Sequence, residues 1–283
     1  MADLPITRTV NDLRATVADW RAEGHRVALV PTMGALHHGH MTLIDHAKKY
    51  ADKVVVSVFV NPTQFGPNED FDAYPRTETE DCAMVAAQGG NMVYAPTVNE
   101  MYPNGFATKV TVGGVSDVLC GAARPGHFDG VALIVTKLLL QCGPDVAVFG
   151  EKDFQQLQVI RRFVRDLDIP VEILGAPLIR DADGLATSSR NKYLTDDDRA
   201  QGLHLHRTLQ TMAEAIAKGA TAADATAQGR SKLEDAGITQ IDYLEIRDME
   251  TMALVEGKVA APARAYVAAK IGKARLIDNW PVG

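Results

Sequence analysis

The stretch Val27-Ala28-Leu29-Val30-Pro31-Thr32-Met33-Gly34-Ala35-Leu36-His37-His38-Gly39-His40 decides the fold. Its first four residues form a short apolar strand. A glycine-bearing turn follows, and then an amphipathic segment with Leu43, Ile44 and Ala47 on one face. The order is strand, turn, helix start, and the helix start carries His37 and His40. Such a turn presents backbone N–H groups and the positive end of a helix dipole to an anion. The imidazoles add hydrogen-bond donors, so the natural guest is a nucleotide phosphate. A plain alternative is an exposed histidine-rich turn with no role.

The pattern His-x-Gly-His after a strand resembles the ATP-binding signature of the nucleotidyltransferase superfamily. The resemblance implies histidine contacts to phosphate and a glycine that lets the nucleoside lie close to the backbone. Working outward, Val10, Leu13, Val17 and Trp20 sit at helical spacing before the strand, and Gly24 ends that helix. After it, Val54–Val60 is a continuous apolar run, the mark of a strand buried on both faces of a parallel sheet. These pieces make a β-α-β unit with a right-handed crossover.

The alternation continues. A helix near 77–88 leads to a strand at Asn91–Ala95, followed by a polar, glycine-rich stretch (101–130). Next come a helix over about 131–141, a strand at Asp145–Phe149 and a helix with Leu157, Ile160, Val164 and Leu167 on one face. A strand at 171–174 follows. This order predicts an α/β chain: a doubly wound, mostly parallel Rossmann-like sheet. Beyond about residue 178 the pattern changes to helices near 196–217 and 222–236 and short strands at Ile241–Ile246, Ala265–Ala269 and Arg275–Ile277. The expected division is therefore a nucleotide- and substrate-binding domain at 1–178 and a smaller C-terminal α+β lid domain at 179–283. The turn at 180–184 lies near the junction, where a hinge is useful.

Three polar motifs fall at the carboxyl ends of expected strands, after Val30, Val60 and Phe149. Ligands of doubly wound sheets bind at such ends. Asn61 and Gln64 place neutral amides after the second strand, suited to a substrate bearing hydroxyl and carboxylate groups; Asn61 is equally suited to capping a turn. In Gly150-Glu151-Lys152-Asp153, Lys152 supplies a mobile positive charge for phosphate. Asp153 suits a ribose hydroxyl or Mg2+, and Gln156 lies one turn on. Thr187-Ser188-Ser189-Arg190-Asn191 offers hydroxyls and a planar guanidinium, a cradle for phosphate or an ordinary helix cap.

Composition narrows the function classes. The chain has 283 residues, 46% hydrophobic and 23% charged, with a formal net charge of −7. The acidic balance disfavours nucleic acid as a partner. Val131–Leu140 is too short to cross a bilayer, so no membrane role is expected. No secretory signal is evident at the start, and Cys82, Cys120 and Cys142 form no CxxC pair. Reduced thiols in a cytoplasmic protein are the expectation.

Taken together, PTMGALHHGH, VNPTQFG, DAYPR (72–76), RPGHFDGV (124–131), FGEKDFQQL (149–157), DGLATSSRN (183–191) and RLIDN (275–279) resemble the pantothenate synthetase (pantoate–β-alanine ligase) family over nearly the whole chain. The resemblance implies ATP-dependent condensation of pantoate with β-alanine through a pantoyl adenylate, releasing AMP and pyrophosphate. It implies ATP contacts from Met33, Gly34, Ala35, Leu36, His37, His38, Gly39 and His40, with His40 as proton donor and His37 on phosphate. Gly150, Glu151, Lys152 and Asp153, the Ile179 backbone, and Thr187, Ser188, Ser189 and Arg190 complete the implied nucleotide set. His40, His37, Lys152 and Arg190 are the expected catalytic residues. Gln64 and Gln156 match pantoate ligands. The family usually has methionine where Thr187 stands; a backbone contact survives that change. For His40, the helix dipole favours a neutral ring and bound phosphate a charged one. ATP implies Mg2+; no protein ligand set is legible, Glu80 and Asp81 being acidic neighbours that read equally as a solvated helix face. The family also implies a homodimer.

Overall fold

The structure, a computed structural model, describes residues 4–67, 69 and 71–283. In chain order the elements are β1 (Ile6–Thr7), α1 (Val10–Ala22), β2 (Val27–Thr32), α2 (His38–Ala47), β3 (Lys53–Val58), α3 (Glu78–Ala87), β4 (Met92–Tyr94) and α4 (Val98–Met101). They continue as α5 (Cys120–Ala123), α6 (His127–Cys142), β5 (Val146–Gly150), α7 (Phe154–Asp166), β6 (Glu172–Ala176), α8 (Asp196–Ala217), α9 (Ala222–Asp235), β7 (Ile241–Asp248), β8 (Ala263–Ile271) and β9 (Ala274–Val282). Short 3₁₀ turns lie at Pro62–Gln64, Glu151–Asp153 and Ser189–Tyr193.

The residues group into two compact units. The first holds the described residues of Met1–Gly113, with Arg124–Glu151 and Gln156–Pro177; the second holds Gly114–Ala123, Lys152–Gln155 and Leu178–Gly283. The expected 1–178 region therefore sends residues 114–123, 152–155 and 178 to the second unit.

The first unit is built on a six-stranded sheet, order β1-β4-β3-β2-β5-β6, with every paired neighbour parallel. β-branched Val54, Val55 and Val56 are wholly buried, as a strand covered on both faces requires. Val27, Ala28, Leu29 and Val30 of β2 are equally buried. The chain runs from β2 outward through β3 to β4, then returns to place β5 on the other side of β2. The carboxyl ends of β2 and β5 are thus a topological switch point, where such sheets take ligands. Caps set the helix boundaries. Thr9 receives the Asp12 amide at 3.1 Å to start α1, and Gly24, at φ +85°, ends it.

The second unit has its own core under a three-stranded antiparallel sheet, order β7-β8-β9. Leu205, Leu209 and Met212 of α8 pack with Ala225 and Leu233 of α9, Ala265 and Val267 of β8 and Leu276 of β9. Thr195 and Asp198 form a reciprocal cap that starts α8.

Several expected boundaries move. The strand expected to reach Val60 ends at Val58, because the 3₁₀ turn at Pro62 draws the chain out of the sheet. The helix expected from 131 starts at His127, behind left-handed Gly126. Leu167 lies past the end of α7 and is exposed. The 101–130 stretch contains α5. Asp145 is outside its strand; its carboxylate accepts the Val27 amide at 2.7 Å. β8 and β9 are nine residues each, longer than expected. β1, two residues paired with β4, was not foreseen.

Candidate active site

The loop leaving β2 is held from beneath by a buried carboxylate. Asp81 of α3 is 1% exposed. Its oxygens accept the Ala35 amide at 3.0 Å, the Leu36 amide at 2.7 Å and the Thr77 hydroxyl at 3.2 Å. Gly34 adopts φ +77°, and a Cβ there would sit 3.0 Å from an Asp81 oxygen. The solvated-face reading is thus wrong for Asp81 and right for Glu80, which is exposed.

His37 is the N-cap of α2. Its Nδ1 accepts the Gly39 amide at 3.1 Å, and the His40 Nδ1 accepts the His37 amide at 3.3 Å. The two rings lie 4.0 Å apart. Acceptance at Nδ1 puts the proton of each neutral ring on Nε2. Two imidazole donors are therefore oriented by the backbone at the amino end of a helix, beside amides that favour anions. His38, between them, is exposed.

After β3, Asn61 caps the turn that carries Gln64. Asn61 is 1% exposed. Its Oδ1 accepts the Thr63 hydroxyl at 3.0 Å and the Tyr102 hydroxyl at 2.8 Å; its Nδ2 donates to Gln64 Oε1 at 3.0 Å and to the Gly130 carbonyl at 3.1 Å. Burial pushes the Tyr102 phenol up, against the bond with Thr63, which keeps it a donor. Asn61 spends its amide on protein partners, so the capping alternative describes it. Gln64 Nε2 donates to Met33 Sδ at 3.0 Å, bringing the second motif to the first.

The block Arg124–Val131 supports the same turn. His127 Nδ1 lies 2.9 Å from the Gln64 carbonyl, and an Arg124 Nη donates to it at 3.4 Å. Arg124 also grips Glu69; that hydrogen bond, against burial, holds the Glu69 carboxyl below its usual range. Gly130 lets α6 touch the turn: a Cβ there would lie 2.3 Å from the Thr63 carbonyl oxygen. Asp81, Tyr102, His127 and Gly130 were missed as site-builders. The 124–131 block was visible in the sequence without a role attached to it. Of the remaining first-unit residues, Gly150 ends β5, Glu151 lies against Gly175 of β6, and Gln156 is half-buried on α7.

In the second unit, Lys152 and Asp153 share a 3₁₀ turn, with Lys152 Nζ 3.8 Å from an Asp153 oxygen. Asn279 of β9 donates to the Lys152 carbonyl at 2.8 Å. The 178–191 segment folds back on itself. The Thr187 amide donates to the Ile179 carbonyl at 3.0 Å, and Arg180 bridges to Ala186. The Thr187 hydroxyl donates to Asp181 at 2.6 Å, and Arg199 and Asn191 also reach that carboxylate. Burial pushes the Asp181 carboxyl up, but these partners outweigh it and hold it below its usual range. Thr187 is thus a polar anchor of this segment. Ser188 caps the turn bearing Ser189 and Arg190, accepting the Arg190 amide at 3.3 Å.

A parallel sheet with a histidine-capped helix at its switch point, and lysine- and arginine-bearing turns elsewhere in the chain, defines an enzyme of the nucleotide-binding α/β class. The family described as Pantoate-beta-alanine ligase matches residues 5–281, and the chain belongs to that family. The chain is 58% identical over 274 residues to the pantothenate synthetase of Paramagnetospirillum magneticum, covering 97% of this chain and 96% of that protein. A crystal structure of pantothenate synthetase from Thermus thermophilus superposes with a TM-score of 0.92 at 45% identity, covering 98% of each chain. Pantoate-beta-alanine ligase from Francisella tularensis, complexed with beta-gamma ATP and beta-alanine, superposes at 0.82 with 31% identity, covering 98% of this chain and 97% of that one.

Among the described residues no three His, Cys, Asp or Glu side chains gather as a metal cage. Asp81, whose oxygens are taken by loop amides, does not fit as a ligand for Mg2+. No helix of the described residues is long and apolar enough to cross a membrane.

Proposed function

We propose that the chain condenses pantoate with β-alanine in two steps, the first of which consumes ATP, as its family membership over residues 5–281 supports. A free carboxylate is a poor electrophile. A pantoate oxygen attacks the α-phosphorus of ATP, the bond to the β-phosphate oxygen breaks, and pyrophosphate leaves. The β-alanine amine then attacks the acyl carbon of pantoyl adenylate; the anhydride bond from that carbon to the phosphate oxygen breaks, AMP departs and the amine loses a proton. The product is pantothenate.

The observation that carries the residue assignment is the turning of both His37 and His40 by backbone amides at the start of α2. Their Nε2–H groups are the donors for phosphate oxygens, with His40 as the donor to the departing group. Oriented donors of this kind stabilise charge that develops as the α-phosphorus is attacked. Met33 to Gly39 supply the backbone of the nucleotide loop. Lys152 and Arg190 carry positive charge to phosphate, Ser188 and Ser189 add hydroxyl or amide donors, and Ile179 and Thr187 offer backbone to the adenine. Gln64 and Gln156 hold pantoate; Asn61 orients Gln64. ATP would bring Mg2+ with it, and the ion would supply positive charge to the phosphates. The protein works in the cytoplasm as a homodimer, so sedimentation should return twice the 30.6 kDa chain mass.

The deciding experiment is exchange of labelled pyrophosphate into ATP. Exchange should require pantoate and proceed without β-alanine. Exchange supported by a different acid would select another adenylate-forming activity. ATP binding without exchange would select a nucleotide sensor.

A further inference from the structure

The RLIDN block, within β9, closes on two buried polar residues that the chemistry above does not use. Asp278 is 5% and Asn279 3% exposed. Successive strand residues face opposite ways, and these two hold different segments. Asp278 accepts Arg180 through both oxygens, at 2.8 and 2.9 Å, and Arg180 also donates to the Gly184 carbonyl. Asn279 donates from Nδ2 to the Lys152 carbonyl at 2.8 Å. Its Oδ1 accepts an Nη of Arg264 on β8. That guanidinium in turn lies 3.9 Å over the ring of Phe154, the first residue of α7. The Asn279 amide therefore has one sensible orientation: its oxygen faces a group that can only donate, and its nitrogen faces a carbonyl that can only accept.

Lys152 needs such support. It sits in a single 3₁₀ turn, a form with poorer hydrogen-bond geometry than an α-helix. Its side chain is 23% exposed, and its ammonium meets Asp153 only at 3.8 Å. With so long an ion pair, the direction in which this flexible four-carbon side chain leaves the turn depends on the backbone that carries it. We propose that Asn279, oriented by Arg264, is a positioning residue that fixes the backbone at Lys152 and so aims the Lys152 ammonium at the reacting phosphate. This rests on the reading of Lys152 as a phosphate ligand. Asn279 touches no reacting atom; it acts through Lys152.

The test is a double-mutant cycle on pyrophosphate exchange, using the full-length enzyme and Asn279→Asp, Lys152→Ala and the combination. Asn279→Asp preserves shape, removes the donor to the Lys152 carbonyl and keeps an acceptor for Arg264. Its kcat should fall about tenfold, as misplacement of a reacting group on the ångström scale does, with the KM for pantoate within about twofold of the parent. In the Lys152→Ala background the same change should cost less than about twofold, because the group it aims is gone. Equal losses in both backgrounds would make Asn279 a general structural residue and overturn the proposal, as would an unchanged kcat in Asn279→Asp. If Asn279→Asp fails to fold, Asn279→Ser carries the same cycle with the same expected non-additivity. Lys152→Ala alone separates the two ideas. Exchange within about threefold of the parent would sink the phosphate reading of Lys152 and the inference built on it. A loss of two to three orders of magnitude, typical for a transition-state donor, with no effect of Asn279→Asp, would sink the positioning role alone.

Discussion

Glu80 and Asp81 differ by one methylene and one position, yet Glu80 is exposed and Asp81 is 1% exposed beneath the loop from Gly34 to Leu36. Asp81 accepts two consecutive loop amides, which fixes Ala35 at φ +50°, a conformation that an alanine adopts only when held. The loop leads straight to His37, so Asp81 would act through the backbone on the phosphate donors proposed there. Asp81→Asn replaces one acceptor by a donor that faces an amide hydrogen. It should cost about 1–3 kcal/mol of stability and raise the KM for ATP about tenfold, equal to roughly 1.4 kcal/mol of binding. Urea unfolding and ATP titration check the two effects. Glu80→Gln should change neither, and an equal effect there would remove Asp81 from this role.

At the scale of elements, the close approach of α6 to the Pro62–Gln64 turn gives a second prediction. Gly130→Ala would place a methyl 2.3 Å from the Thr63 carbonyl oxygen, which a helix and a turn cannot both accommodate without shifting. Overpacking of this kind costs about 1–3 kcal/mol. Gln64 should be displaced with the turn, so the KM for pantoate should rise more than the KM for ATP; steady-state kinetics on both substrates decides. The 180–191 segment gives a third. Asp181 is held below its unfolded-state value by Thr187, Arg199 and Asn191. A carboxyl depressed by folding contributes stability that is complete above the unfolded value, about 4, and is lost as pH falls through the lower folded value. The urea midpoint of the parent should therefore exceed that of Asp181→Asn by a constant margin from about pH 7 to 5. That margin should shrink below about pH 4. A margin unchanged at low pH would mean that the carboxylate charge contributes nothing.

These elements also mark the limit of legibility in the sequence. Alternating strands and helices were readable because β2, β3 and β5 are buried on both faces and carry long apolar runs. The parallel sheet follows from that burial. β1 was not readable, since two residues carry no period. The start of α6 was hidden because His127 and Asp129 are polar. Among the proposed functional residues, His37, Gln64, Lys152 and Arg190 announce themselves as polar groups beyond apolar strands or in a hydroxyl-rich run. Asp81, Gly130 and Asn279 do not, because their partners lie 46, 67 and 127 positions away. Only folding brings such pairs together, and periodicity has no access to them.

For the whole molecule, the balance of charge sets what kind of phosphate can be bound. The chain carries 29 Lys and Arg against 36 Asp and Glu, a formal charge of −7. Many basic residues near the phosphate-type turns are already committed: Arg180 to Asp278, Arg199 to Asp181 and Asp183, Arg124 to Glu69. Binding of a polynucleotide draws on many unneutralised cations at once, because its affinity comes from counterions released along an extended phosphate chain. A single triphosphate needs only a few oriented donors, the role proposed above for His37, His40, Lys152 and Arg190. The fourth prediction follows. At about 100 mM salt the protein should not retard tRNA or duplex DNA at micromolar concentration, where proteins with non-specific affinity begin to bind. Pyrophosphate exchange should be indifferent to added tRNA. Retardation that weakens steeply with salt would reveal a basic surface that the charge ledger does not contain. Stimulation of exchange by tRNA would move the chain toward the aminoacylating branch of nucleotide-activating enzymes. Indifference would place its phosphate recognition in local geometry, as proposed for the His37 and His40 caps.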